Sequence, residues 1–235
     1  MMTNLLRRGV ITMCLLCGGI AVCTSADAAI AFRADVTDTS GDGTLPQPAG
    51  AAEGDLLIAQ IIHSTATVTG LTGWTELEES SVDNAVVLST FYIIRGVGDP
   101  DLTYVAGGTD YSEYMIAYTG THQTTPVGTF AVQYNTTSTT PDSPSIDLID
   151  SASWLYVFGD IVDVGTYTVP TGMTVRESTT NINGAADLAT PADPTGIKEW
   201  TLSGAGSDSH NTSLEIRPPA AAARRVLILS DLQEP

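Results

Sequence analysis

The segment Asp38-Thr39-Ser40-Gly41-Asp42-Gly43 has the residue types needed to hold a hard cation: side-chain oxygens at Asp38, Ser40 and Asp42, and a sixth-position glycine for the turn. A calcium loop of that kind closes its ligand set with a bidentate Glu at the twelfth position, and here that position is Ala49. Two readings follow: calcium on Asp38, Ser40 and Asp42, or an Asx-rich turn between a first strand and Pro46. Flat rings offer a second chemistry, because the apolar faces of sugars stack on aromatic side chains. Trp74, Tyr104, Tyr111, Tyr114, Tyr118, Trp154 and Trp200 are the stock, and Tyr111 and Tyr114, beside the Gly108-Thr109-Asp110 turn, are the expected exposed pair.

Catalytic patterns are weaker. A glycosidase needs two carboxylates facing each other across a cleft, about 5–10 Å apart according to mechanism. Glu76, Glu78, Glu113, Asp160, Asp163 and Glu177 lie on or beside strand-like segments, but among so many acidic residues a pair is easily drawn by chance. His63, His122 and His210 have no metal-ligand spacing. No G-x-S-x-G elbow marks a nucleophilic serine, and Gly107-Gly108 lacks the Lys-Ser/Thr of a phosphate loop. The chain is therefore expected to be non-enzymatic, with no cofactor beyond the calcium reading; an acidic extracellular hydrolase is the weakest alternative.

These residues must be positioned by strands. After residue 28 the sequence is rich in Thr, Val, Ile, Ser and Tyr, with short apolar segments separated by Gly, Pro, Asp and Asn. Strands are expected at Ala29–Thr37, Asp55–His63, Thr75–Glu78, Ala85–Arg95, Leu102–Val105, Tyr111–Tyr118, Thr129–Tyr134, Trp154–Val162, Thr174–Glu177, Glu199–Leu202, Thr212–Arg217 and Val226–Leu229. Shifting the chain against itself by 99 residues brings Thr72-Gly73-Trp74-Thr75 onto Thr171-Gly172-Met173-Thr174, Glu78 onto Glu177 and Leu56 onto Leu155. One residue of slip then aligns Gly108-Thr109-Asp110 with Gly206-Ser207-Asp208. Two units of about 65 residues, each too small to bury its own apolar face, are expected to pack on one another. The expected fold is all-β: a two-sheet β-sandwich with approximate internal duplication. Jelly-roll and immunoglobulin-like topologies both suit the strand count; without a Cys…Trp…Cys arrangement the jelly roll is preferred.

The amino terminus reads as an export signal. Arg7 and Arg8 precede an apolar run from Gly9 to Val22, and Ala26-Asp27-Ala28 has the small residues of a cleavage site. Residues 1–28 are the expected signal peptide, residues 29–218 the β-sandwich domain and residues 219–235 a tail forming a docking strand or short helix. A lipid attachment at Cys17 or Cys23 is disfavoured by Leu16 and Val22 before them. All three cysteines, Cys14, Cys17 and Cys23, lie in the apolar run, so the mature chain would hold no disulfide. The net charge is −18; losing Arg7, Arg8 and Asp27 leaves seven basic against 26 acidic residues, or −19. Such a surface repels phosphate backbones and anionic lipid, which argues against nucleic acid, and against a membrane once the signal is removed. The apolar Val226-Leu227-Ile228-Leu229 in the tail would be costly to leave in water and is expected to cover the sandwich or a partner.

Gly54-Asp55-Leu56-Leu57-Ile58-Ala59, Thr72-Gly73-Trp74-Thr75, Met115-Ile116-Ala117-Tyr118-Thr119-Gly120, Pro170-Thr171-Gly172-Met173-Thr174 and Leu214-Glu215-Ile216-Arg217-Pro218 carry a resemblance. They are similar to β-sandwich modules of secreted bacterial surface proteins and of tailed-phage virion structural proteins, over about Ala31 to Pro218. The resemblance implies a structural or adhesive role and brings no catalytic residues. Partners are then a glycan, a protein surface or copies of the chain itself. A secreted or cell-surface location follows from the signal, and a virion component of head or tail is the alternative.

Overall fold

The computed structural model describes residues 29–40, 42–64, 68–69, 71–82, 86–99, 101–105, 110–161, 166–178, 183–203 and 207–220. The expected signal peptide, the expected strand Val226–Leu229 and most of the tail lie outside them. Sixteen strands are described: β1 (Ala31–Asp38), β2 (Thr44–Leu45), β3 (Leu56–His63), β4 (Thr75–Val82), β5 (Val86–Ile94), β6 (Leu102–Thr103), β7 (Asp110–Thr119) and β8 (Val127–Ser138). The remainder are β9 (Asp142–Ser143), β10 (Trp154–Ile161), β11 (Tyr167–Thr168), β12 (Thr174–Ser178), β13 (Asn183–Leu188), β14 (Lys198–Glu199), β15 (Thr201–Leu202) and β16 (Ser207–Ile216). The fold is all-β, as expected.

Ten of these strands form two five-stranded antiparallel sheets, ordered β1-β7-β3-β5-β4 and β8-β16-β10-β13-β12. Each sheet comes from one half of the chain, and the two orders run through corresponding strands. A jelly roll instead leads the chain back and forth between its sheets, so that part of the expectation does not describe this connectivity. Details recur as well. The turns before β4 and β12 both place a glycine at positive φ, Gly73 at 87° and Gly172 at 84°. Trp74 N–H donates to Leu71 C=O (3.3 Å) in one, and Met173 N–H to Pro170 C=O (3.2 Å) in the other. Both edges then shift register, between Glu76 and Glu78 in β4 and between Val175 and Glu177 in β12. The offset of 99 therefore holds at the turns. It fails in the central strands, where Leu56 pairs with Tyr118 and Trp154 with Ile216, an offset of 98. The reason is the period of a strand: Leu56 packs between the sheets and Leu155 on an outer face, so aligning them would swap faces.

Packing explains which sequences form which strands. Every residue of β3 is buried, as are Leu155 to Asp160 of β10, so both read as continuous apolar runs. Between the sheets, Leu56, Ile58, Ile62, Tyr114, Ile116 and Tyr118 meet Tyr156, Phe158, Ala185, Leu214 and Ile216. Outer faces are covered too. Leu57, Ala59, Ile61 and Phe91 lie beneath Leu45, Val68, Leu102 and Tyr104; Leu155, Val157 and Ala186 lie beneath Ile146, Tyr167, Trp200 and Leu202. The sequence reading omits β13, Asn183-Gly184-Ala185-Ala186-Asp187-Leu188, since Gly and Ala are poor strand formers. Its small residues are set by its neighbours: a Cβ on Gly184 would stand 3.0 Å from both Trp200 and Tyr167.

A polar seam crosses this core. Tyr156 Oη donates to Gln60 Oε1 (2.6 Å), and Tyr118 Oη donates to Asp187 Oδ2 (2.9 Å). Arg176 donates twice to Asp187, from Nε (2.6 Å) and Nη2 (2.9 Å), while its guanidinium lies 4.1 Å from the Phe32 ring centroid. Losing a hydrogen bond to a buried charged group costs about 1.5–3 kcal/mol. Asp187→Ala is expected to lower the urea midpoint by that much stability, and Tyr118→Phe by about 1 kcal/mol. Equal losses in the two variants would show that Asp187 is not the hub of the seam.

Candidate binding cleft

The cover of the first sheet's outer face leaves a cleft of about 230 Å³. Short strands β2 and β6 pair Thr44 with Thr103 and Leu45 with Leu102, closing one side. The loop after β5 is tied to the loop before β3: Gly54 N–H donates to Arg95 C=O (2.8 Å), and Arg95 N–H to Asp55 C=O (2.8 Å). Arg95 Nη1 reaches Ala51 C=O (3.0 Å), and its Nε bonds Gln47 Oε1. Gln47 in turn donates from Nε2 to Asp99 C=O (2.9 Å) and from its backbone N–H to Asp101 Oδ1 (3.0 Å). Gly96 N–H donates to Asp99 Oδ2 (2.5 Å), and a Cβ on Gly96 would crowd both Asp99 carboxylate oxygens at 3.1 Å. The cleft is lined by apolar Leu57, Leu71, Trp74 and Ile93 together with polar Gln47, Asp99, Asp101, Thr72 and Thr103.

Trp74 is half-buried and Asp101 exposed, so an indole lines the cleft together with hydrogen-bonding groups. A cavity of ~150 Å³ takes one six-membered ring, so this volume suits a single ring with its substituents. Met173 replaces Trp74 at the corresponding turn of the second half, and the second half's fully buried tryptophan, Trp200, donates from Nε1 to Ser143 Oγ (2.8 Å). The half-exposed indole is therefore a feature of the first half alone at this position.

The residues expected to bind lie elsewhere. Tyr114 is a correction: its side chain is fully buried, stacked on Phe158 at 6.0 Å between ring centroids, and it presents no face to a ligand. Alternation along β7 puts Tyr114, Ile116 and Tyr118 together on the inward face. The Tyr111 side chain lies outside the described residues. Asp38, Ser40 and Asp42 turn their oxygens onto their own backbone: Asp38 Oδ1 accepts Ser40 N–H (2.7 Å), Ser40 Oγ accepts Asp42 N–H (3.4 Å), and Asp42 Oδ1 accepts Thr44 N–H (2.9 Å). Gly41 lies outside the described residues. Among the described residues no three His, Cys, Asp or Glu side chains are grouped to hold a metal ion.

The three histidines are set apart. His122 Nδ1 accepts Thr125 N–H (3.1 Å) in a turn. His63 Nε2 lies 3.0 Å from Ser89 Oγ, and Asp160 Oδ1 accepts His210 N–H (2.7 Å). Of the carboxylates, Glu113 is buried and takes the Tyr104 hydroxyl, while Glu215, also buried, accepts Thr129 N–H (2.9 Å), Ile149 N–H (2.9 Å), Asp150 N–H (3.1 Å) and Ser153 Oγ–H (2.6 Å). Comparisons with protein-family models, curated proteins and solved structures gave no match, so the cleft itself must carry the functional argument.

Asp35, Glu78 and Glu177 line the edges of the inter-sheet space, and burial raises the pKa of each. Arg176 partly offsets that rise at Asp35 and His210 does so at Glu78; Glu177, which accepts Thr37 Oγ1–H (3.1 Å), is lowered by that bond and raised by Asp35. A carboxyl with a raised folded pKa binds its proton more tightly in the folded chain. Its stabilising contribution is complete below the unfolded value and is lost as pH climbs through the folded value. Melting temperature is therefore expected to rise as pH falls from about 7 toward about 4.5. Glu177→Gln, which keeps an acceptor for Thr37, is expected to flatten that rise; an unchanged slope would remove Glu177 from the titration.

Proposed function

We propose that this chain is a non-catalytic, exported β-sandwich module that binds neutral or amino-bearing sugars in the Trp74 cleft. The observation that carries the reading is the half-exposed Trp74 indole with Asp99, Asp101, Gln47, Thr72 and Thr103 around one ring-sized hollow. An indole face attracts the C–H face of a sugar, and carboxylate and threonine oxygens accept its hydroxyl protons. The net charge of −18 and the two aspartates disfavour acidic sugars. The basic, apolar and small-residue order of residues 1–28 supports export. Matching sheet orders, glycine turns and register shifts support an origin of the two halves in one duplicated unit, with the binding position kept in the first.

Titration against a panel of neutral and amino sugars tests the reading. Ligand is expected to perturb tryptophan emission in the native chain and not in Trp74→Phe, because Trp154 packs against the inter-sheet core, Trp200 is buried, and neither lines the cleft. Trp74→Ala is expected to weaken binding by about tenfold, the equivalent of losing one aromatic stack. Failure of every sugar to bind, or binding indifferent to Trp74, would overturn it.

A further inference from the structure

We propose that Gln60 and Thr212 join as an intramolecular ester, a covalent cross-link between the two sheets of a chain that has no cysteine after Cys23. The two side chains meet inside the sandwich from opposite halves. Gln60 of β3 and Thr212 of β16 are both buried, and Gln60 Nε2 lies 3.5 Å from Thr212 Oγ1. The amide carbon stands one C–N bond behind that nitrogen, so it is within about 5 Å of the hydroxyl oxygen before any torsion turns. The other contact of the hydroxyl, to Phe158 C=O, is also 3.5 Å long, so no strong hydrogen bond holds Thr212 back.

Strand alternation puts the chemistry in one place. Ile58 and Ile62 face the inter-sheet core and carry Gln60 with them, while Leu214 and Ile216 do the same for Thr212 and, two residues earlier on that face of β16, for His210. His210 is buried, and neither of its ring nitrogens has a hydrogen-bond partner among the described residues. Its Nδ1 lies 3.5 Å from Asp160 Oδ1, and Glu78 of β4 is within its electrostatic reach. Buried polar groups are ordinarily hydrogen-bonded, and an imidazole that forgoes both bonds weakens the fold unless it serves another purpose. On the Gln60 side, Tyr156 Oη donates to Oε1 (2.6 Å).

These groups have the roles that acyl transfer needs. Thr212 Oγ1 passes its proton to the His210 imidazole and forms a bond to Gln60 Cδ. The negative charge that collects on Oε1 is met by the Tyr156 hydroxyl already bonded there. The C–N bond then breaks, the nitrogen takes the proton back from the imidazolium, and ammonia leaves. One amide and one alcohol become one ester and one ammonia, with no change of oxidation state and no other reactant. A hydroxyl is a weak nucleophile toward an amide, but fixed juxtaposition is worth an effective molarity of about 10⁵–10⁸ M, and ammonia lost to bulk water does not return. An amine cannot compete for the link, because Lys198 is the only lysine and its Nζ donates to Thr195 C=O (2.6 Å). The inference stands apart from sugar binding, since none of these residues lines the Trp74 cleft.

Mass spectrometry of the purified full chain, its amino terminus read by sequencing, is expected to find a mass lower than that of the sequence by one ammonia. Digestion should yield a single linked peptide pair carrying Gln60 and Thr212, and alkaline hydroxylamine, which cleaves esters and spares amides, should part it with a hydroxamate left on Gln60. Thr212→Ser keeps the hydroxyl and should keep the link; Thr212→Val and Gln60→Glu should lose it. His210→Gln is expected to slow ammonia loss from freshly made chain about tenfold or more, on the scale of a missing general base. An unmodified mass would overturn the proposal, and so would ammonia loss mapped to a succinimide at Asn183-Gly184, which the peptide map separates from a link. Ammonia loss as fast in His210→Gln as in the unsubstituted chain would overturn the role given to His210.

Discussion

Burial of β3 and β10 on both faces is the constraint from which most of this architecture follows. A sheet with one wet face can stand against a single partner layer, but Leu57 and Ile61 on one outer face and Leu155 and Val157 on the other cannot be left in water. Each would forfeit about 1.5–3 kcal/mol if uncovered. No cysteine occurs after Cys23, so within residues 29–220 cover cannot be fastened by disulfides. It is fastened by hydrogen bonds: the Arg95 and Gln47 ties on the first half, and Trp200 on Ser143 with Tyr167 Oη on Asp160 C=O (2.5 Å) on the second. Loops that cover a core in this way are also the loops that can shape a hollow. The cleft is a by-product of covering one sheet with a large, incompletely buried indole.

The same constraint governs the polar groups of the core. In the inter-sheet space Gln60, Asp187 and the Tyr118 and Tyr156 hydroxyls find partners across or along the seam, whereas the buried Tyr114 hydroxyl has none among the described residues. Glu215 follows the rule at the start of β8. Its carboxylate gathers four donors from two segments, β8 and the turn 149–153, and a Cβ on Gly128 would fall 2.0 Å from one of its oxygens. A buried acid thereby fixes where β8 begins and explains a glycine in an otherwise β-favouring strand.

Strands such as Leu56–His63 and Trp154–Ile161 are legible because burial on both faces writes itself as a continuous apolar run. The Thr-Gly-x-Thr turns are legible because Gly73 and Gly172 must hold positive φ, which few residues other than glycine do. What was not legible depends on partners distant in the chain. β13 has the composition of a loop until Trp200 and Tyr167 are set over Gly184. The face of Tyr114 turns on the register of β7, which no local pattern around Gly108-Thr109-Asp110 fixes. The cleft joins Gln47, Trp74 and Asp99–Asp101 from three separate loops, and only Trp74 drew attention, as one aromatic of seven. A sharper signal was present: Trp74 and Met173 occupy matching turns, so the large aromatic at one of them stood out against its counterpart.

That comparison between halves extends to the edges. Register places Asp35 opposite Ile116 and Phe130 opposite Leu214, while Ile116 and Leu214 hold corresponding places in β7 and β16. Asp35 and Phe130 are thus counterparts, one a carboxylate at the rim of the inter-sheet space, the other a ring leaning into it. By the same count Arg33 corresponds to Gly128 and Asp38 to Gln133. Arg33 is engaged by Asp55 (2.5 Å) at its bulge, where Gly128 instead makes room for Glu215. Charge stands on the first half's edge and neutral residues on the second's, while the indole stands in the first half and a methionine in the second. Two sheets of like strand order therefore present different edges and different outer faces. The charged edge belongs to the sheet whose outer cover holds the cleft, and the uncharged edge to the other sheet.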